Sequence, residues 1–325
     1  MRCRALATIA CLLTAPLTAP LAAEAQSRTP SIGVLMPGPV AQRLHMLEAL
    51  RQGLHEQGYV VGQNITLVVR SADGVMERLP ALAEELVRHP VDIILAPGPA
   101  ANAAKQVTST TPIVIAVGDA LAMGLITNLA RPGGNITGIS EFAPEIIAKR
   151  LQLLKQAAPA IARVAVLVNP SDPGKSSEQR ALQEAARALN VTLQVFDVRV
   201  HEDLGTAFAG IVKQRPDALI TFEDALTMTH RNQLIEFAAT ARLPAIFAWP
   251  DFVRSGALMA YGPRAGESWR RAAIYMDKIL KGAKPGDLPI EQPTKFEFGI
   301  NLTTAKALGL TIPEPLLLQA TEVIK

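Results

Sequence analysis

The residue types that carry catalysis are thinly spread in this chain. Five histidines, His45, His55, His89, His201 and His230, stand apart from one another, and no two share a spacing that a metal would need. Only His230, just past the segment 223–227, falls near a predicted strand end. No G-x-S-x-G elbow occurs, and the first predicted strand runs into Met36-Pro-Gly-Pro-Val40 rather than a G-x-G-x-x-G turn. Two prolines there would deprive a pyrophosphate of backbone donors. Both cysteines, Cys3 and Cys11, lie in a segment expected to be removed, so the mature chain has no thiol nucleophile, disulfide or cysteine ligand. The expectation is no catalytic set, no metal and no cofactor.

Groups suited to binding are more plentiful at the predicted strand ends. Pro97-Gly98-Pro99-Ala100 opens a helix whose free amides fit a carboxylate, although the same residues also suit a tight strand-to-helix turn. Asp119, after Val117-Gly118, fits either a ligand amine or the cap of the following turn. Asn169-Pro170-Ser171-Asp172 and Thr221-Phe222-Glu223-Asp224 end two later strands, and Asn169, Ser171 and Glu223 are candidate hydrogen-bonding groups. Trp249 follows another strand and suits stacking on a flat ligand or burial between helix and sheet. Asp119 and Glu223 would neutralise a cationic group and the amides after Gly98 an anionic one, a combination that fits a zwitterion.

The elements that must position these groups alternate regularly. Strands are predicted at 32–36, 65–70, 91–96, 113–117 and 137–140, with helices over 44–57, 78–89 and 100–107 between them. The rhythm repeats with helix 144–157, strand 163–168, helix 175–189, strand 192–198, helix 203–213, strand 218–222, helix 229–241 and strand 245–248. Strand 258–261, helix 266–281, a Pro-rich stretch over 284–293, strand 296–301 and helix 302–308 follow. Gly58 is placed to close the first helix and Pro90 to block the second. Ile32-Gly-Val-Leu-Met36 and Val164-Ala-Val-Leu-Val168 open two similar trains, so the chain reads as two α/β lobes with mostly parallel sheets and a cleft between them. Asn64, Asn135 and Asn190 precede strands and read as turn residues rather than glycan acceptors.

Residues 1–25 have a short basic start, an apolar run broken by Pro16 and Pro20, and the small-x-small pattern Ala23-Glu24-Ala25. They are expected to be a signal peptide cleaved after Ala25. With 32 basic against 29 acidic residues, 4% aromatics and no basic stripe, nucleic acid is an unexpected partner.

Blocks throughout the mature chain carry a family resemblance: Leu129-Ala-Arg-Pro-Gly-Gly-Asn-Ile-Thr-Gly138, Lys149-Arg-Leu-Gln-Leu-Leu154, Asp277-Lys-Ile-Leu-Lys-Gly-Ala-Lys-Pro285 and Ile300-Asn-Leu-Thr-Thr-Ala-Lys-Ala-Leu-Gly-Leu-Thr-Ile-Pro313. With Val117-Gly-Asp119 and Tyr261-Gly-Pro263 they make the chain resemble the ABC transporter substrate-binding proteins of the tryptophan/tyrosine type. The resemblance implies a type I periplasmic binding protein fold, with two Rossmann-like lobes joined by a three-crossover hinge. It also implies a small-molecule ligand trapped on closure, a periplasmic location, and an ABC permease with its ATPase as partners. On that plan the N-terminal lobe is expected over 26–140 plus 262–285 and the C-terminal lobe over 141–261 plus 286–325, with Tyr261 and Gly262 at the hinge and the protein a monomer. Pro37-Gly38-Pro39 departs from the amino-acid-binding branch in having few hydroxyl donors. A ligand-sensing module for a membrane receptor and an exported α/β enzyme remain the alternative readings.

Overall fold

The computed structural model describes residues 28–89, 91–141, 144–170, 175–222, 224–264 and 266–325. The signal-peptide reading, Pro90, Ser171, Asp172 and Glu223 lie outside the described residues.

The first lobe runs β1 (Ser31–Met36), α1 (Leu44–Glu56), β2 (Thr66–Ser71), α2 (Leu79–Arg88), β3 (Ile93–Pro97), α3 (Ala100–Val107), β4 (Ile113–Val117) and β5 (Ile136–Ser140). Its sheet is wholly parallel in the order β2-β1-β3-β4-β5. Every residue of β3, β4 and β5 is buried. A parallel sheet is covered by helices on both faces, and this accounts for strands that read as unbroken apolar runs. Gly58, at φ +89°, closes α1 as expected, with the Tyr59 amide donating back to the Leu54 carbonyl at 2.9 Å.

The second lobe repeats the plan with α4 (Pro144–Ala157), β6 (Arg163–Val168), α5 (Lys175–Ala188), β7 (Thr192–Asp197), α6 (Asp203–Gln214), β8 (Ala218–Thr221), α7 (Ala225–Thr229), α8 (Arg231–Thr240), β9 (Ala245–Phe247) and β10 (Met259–Gly262). The strand order β7-β6-β8-β9-β10 duplicates that of the first sheet. The helix expected over 229–241 is in fact two. A capping box, in which the Asp224 carboxylate accepts from the Thr227 amide and the Thr227 hydroxyl accepts from the Asp224 amide, starts a helix earlier, and the chain breaks at His230. Asn190 sits at φ +52° after α5, the left-handed position that asparagine tolerates.

Three passages join the lobes. The chain leaves β5 for α4, returns from β10 through α9 (Glu267–Leu280), and crosses last into β11 (Glu297–Asn301), α10 (Leu302–Ala307), α11 (Glu314–Leu317) and β12 (Glu322–Ile324). α9 belongs to the first lobe. Its Trp269, Ala272 and Met276 share a core with Leu50 and Leu54 of α1, and a Cβ on Gly53 would stand 2.2 Å from the Arg270 carbonyl oxygen. Beyond α9 the chain lies along the outer edge of β5. The Thr137 hydroxyl donates to the Leu288 carbonyl, and Glu291 exchanges backbone bonds with Gly138 and Ser140. The first sheet therefore holds the chain through Glu291, past the crossing expected at 286. β11 pairs antiparallel with β10, and the short β12, absent from the sequence reading, completes a seven-stranded sheet.

The second and third passages come together at Tyr261, against the middle of α4. Arg150 of α4, fully buried, donates from Nε to the Tyr261 carbonyl at 2.8 Å. The Tyr261 ring packs on Phe296 of the last crossing and on Phe298 of β11, with centroids 5.9 and 6.3 Å away. Gly262 lies so close to β9 that a Cβ would stand 2.0 Å from the Ala248 carbonyl oxygen. Only glycine fits there.

Candidate functional site in the interlobe cleft

In open parallel sheets, ligands bind beyond the carboxyl ends of the strands. Here those ends of the two sheets face each other. Asp119, after β4, accepts a hydrogen bond on Oδ2 from the Ser177 hydroxyl of α5 at 2.9 Å, joining lobe to lobe directly. The His45 ring at the start of α1 also senses the second lobe. Burial pulls its pKa below the ordinary value; Asp251 of the second lobe pulls it back up, while Arg231 of that lobe and Arg43 push it down.

On the first lobe, Gly98 adopts φ +53° and its amide donates to the Ala116 carbonyl at 3.1 Å, so the β3–α3 connection is a tight turn. Pro99 is exposed, occupies the N-cap of α3 and supplies no side-chain cap, while Ala100 is fully buried. The Asp119 carboxylate is engaged on both oxygens. Oδ1 accepts from the amides of Leu121 and Ala122, each at 3.0 Å, and Oδ2 from Ser177. It both caps its own turn and ties the lobes.

On the second lobe, Asn169 is half-buried at the end of β6 and borders a cavity of about 10 Å³, room for a single water, with Val198, Asp224 and Thr227. Trp249 is 9% exposed and packs in the core that also holds Phe247 and Phe252, so most of its ring is already covered by protein. Tyr261 and Gly262 lie away from these loops, at the meeting of the crossovers.

Three charged groups at the same strand ends went unread in the sequence. Lys175 and Glu178 at the start of α5 form an ion pair at 3.1 Å with side chains only 4% and 2% exposed. Arg43, in the turn between β1 and α1, is 6% exposed, and its Nε and Nη2 atoms have no hydrogen-bond partner among the described residues. Burial lowers the Arg43 pKa, and the negative charge of Glu141, just past β5, pushes it back up. One signal pointed to Arg43. It occupies the N-cap position of α1, where the helix dipole disfavours a cation and a Ser, Asp or Asn is usual.

Comparison with known proteins places this geometry among relatives. The family model described as ABC transporter substrate binding protein matches residues 31–324. A tyrosine-binding protein of Clostridioides difficile (strain R20291) is 28% identical over 261 residues, covering 80% of this chain and 75% of that protein. An ABC domain in complex with L-Trp from Streptococcus pneumonia superposes with a TM-score of 0.85 at 22% identity, covering 91% of this chain and all of that one. A ligand-free, open substrate-binding protein with adhesive properties from Clostridium difficile gives a TM-score of 0.67 at 25% identity, over 91% of this chain and 99% of that one. The strand order and the two-lobed plan are those of a type I periplasmic binding protein.

Proposed function

The chain belongs to the ABC transporter substrate-binding protein family, and from that premise we propose that it captures an amino acid, tyrosine or tryptophan by preference, in the interlobe cleft and delivers it to an ABC permease for import. The observation that carries this reading is the direct hydrogen bond between Asp119 and Ser177. It exists only when the lobes are together, so the cleft has a closed state held by its own rim. A ligand that touches both lobes shifts the balance toward that state. The higher superposition on the L-Trp-bound relative than on the open, ligand-free one agrees with a closed cleft.

Charged groups stand at the strand ends of both lobes, Lys175 and Glu178 paired with each other and Asp119 bonded to its own turn and to Ser177. The tyrosine-binding relative and the L-Trp complex supply the side-chain class. The leader read in residues 1–25 would export the chain, and the ligand would be passed on outside the cytoplasm.

Titration calorimetry with the twenty amino acids tests the reading. Tyrosine or tryptophan should bind with micromolar or better affinity and shrink the radius of gyration in solution scattering, because closure compacts the two lobes. No binding by any amino acid, with a stabilising ligand found among sugars, purines or simple acids, refutes it.

A further inference from the structure

The core-facing side of α5 breaks its own pattern. Lys175, Glu178, Leu182 and Ala186 are its buried residues, and their spacing of three, four and four puts them on one face of the helix. Leu182 and Ala186 share a core with Ile147, Leu151 and Leu154 of α4 and with Val166 and Val168 of β6. The first two places on that face hold an ion pair instead. Lys175 Nζ stands 3.1 Å from Glu178 Oε1, with side chains 4% and 2% exposed. Taking both charges out of water is costly, and replacing such a pair by apolar residues is often neutral or stabilising. Lys175 also stands at the end of the helix dipole that disfavours a cation. Stability alone does not account for the pair.

Its position does. The first turn of a helix has amides without partners inside the helix, and helix ends fray. Lys175 and Glu178 are the first and fourth residues of α5, so their bond closes that turn. Ser177 lies inside it. At roughly 100° per residue, Ser177 stands on the side of α5 opposite the core-facing stripe, where Glu184 and Ala188 farther along are exposed. There its hydroxyl donates to Asp119 Oδ2 of the first lobe at 2.9 Å. A turn that frayed or rotated would carry the hydroxyl out of reach, since a side-chain hydrogen bond is gone by about 3.6 Å. Apolar side chains can slide on a core, whereas a buried pair joined by a directional hydrogen bond holds one geometry.

We propose that Lys175 and Glu178 are positioning residues for closure: their bond clamps the first turn of α5 so that Ser177 meets Asp119, and it sets how firmly the closed cleft keeps its ligand. This rests on the capture of a ligand between the lobes proposed above, but it names a device that can fail separately from it.

The test compares wild type, S177A, K175M/E178L and the triple variant on two readouts. Calorimetry with L-tyrosine and L-tryptophan gives the affinity. The second readout needs no ligand. With Cys3 and Cys11, the chain's two cysteines, changed to serine, L121C and S176C put thiols at exposed positions next to the Asp119–Ser177 contact. The rate at which a bismaleimide joins them reports how often the two rims meet. K175M/E178L should weaken the amino acids about fivefold, as S177A does, and the triple variant should weaken them no further. Cross-linking in K175M/E178L should be slower than in wild type. Losses that add in the triple variant, or an affinity for K175M/E178L within about twofold of wild type, overturn the proposal. Should wild type bind neither amino acid, the amino-acid reading falls and cross-linking decides alone: a rate in K175M/E178L equal to that of wild type overturns the clamp. If K175M/E178L does not fold, E178Q replaces it under the same criteria.

Discussion

Removing the Ser177 hydroxyl isolates the closing contact from everything else Asp119 does. In S177A the Asp119 cap on Leu121 and Ala122 survives and only the 2.9 Å bond between lobes is lost. A hydrogen bond to a charged group contributes about 1.5–3 kcal/mol when well buried. Both residues are half-buried, so solvent screening brings the expected loss to about 1 kcal/mol. That loss falls on the closed state alone. If the ligand-free protein is mostly open, its melting temperature should not move, whereas ligand affinity should weaken about fivefold. The loss should appear as faster ligand release with an unchanged association rate, since the bond forms after the ligand enters. Stopped-flow fluorescence and calorimetry on S177A and wild type measure both quantities. An equal loss of stability with and without ligand would show a permanent contact rather than a closing one, and affinity within twofold of wild type would remove the pair from the closing mechanism.

Three further outcomes follow from the packing. G262A forces a methyl to within 2.0 Å of the Ala248 carbonyl oxygen and should destabilise the protein by about 1–3 kcal/mol in urea denaturation; wild-type stability would mean the crossing is loose. K175M removes the 3.1 Å ion pair from the buried Glu178 carboxylate and should lower the urea midpoint, while K175M/E178L should lose less than the sum of the two single variants; strictly additive losses would show that the pair does not act as a unit. His230 stacks on His201 with ring centroids 4.2 Å apart, and its pKa is lowered, first by burial and then by His201, with Glu202 opposing. Above the ordinary histidine value of about 6.5 both folded and unfolded chains hold this ring neutral. Below it the unfolded chain takes up the proton first, so this residue's contribution to stability falls as pH drops through that value. The urea midpoint of wild type should decline faster than that of H230N between pH 7.5 and 5, and parallel curves would exclude the effect.

The parts of the fold visible in the sequence are those where one physical signal dominates. β1 and β6 were legible because helices cover both faces of a parallel strand and force continuous apolar residues. α3 was read over its observed span because Ala-rich spacing and a Pro-Gly-Pro start agree. The divided helix at His230 was missed because its first half is short and starts at a capping box that ends in Thr227 rather than Glu or Gln. β12 was missed because it is three half-buried residues that pair with one strand, β11. The site was harder to read than the fold. The strand ends were located correctly, and Asp119 and Asn169 stand at them. What Asp119 touches depends on Ser177, which belongs to the other lobe and lies 58 residues farther along the chain. Arg43 escaped notice because the helix pattern starts at Leu44, and nothing in hydrophobic spacing marks a buried cation one residue earlier. Trp249, a candidate for its aromatic surface, is largely consumed by the core.

The place of α9 and the segment through Glu291 determines when the first lobe can exist. Five strands of its sheet are made by residue 140, but Leu50 and Leu54 of α1 stay uncovered until Trp269, Ala272 and Met276 arrive, and β5 keeps a bare edge until Ile290 and Glu291 reach it. During synthesis most of the chain has therefore left the ribosome before either half can finish folding. The interleaving of the lobes makes completion of the first depend on residues late in the chain, as well as joining the two.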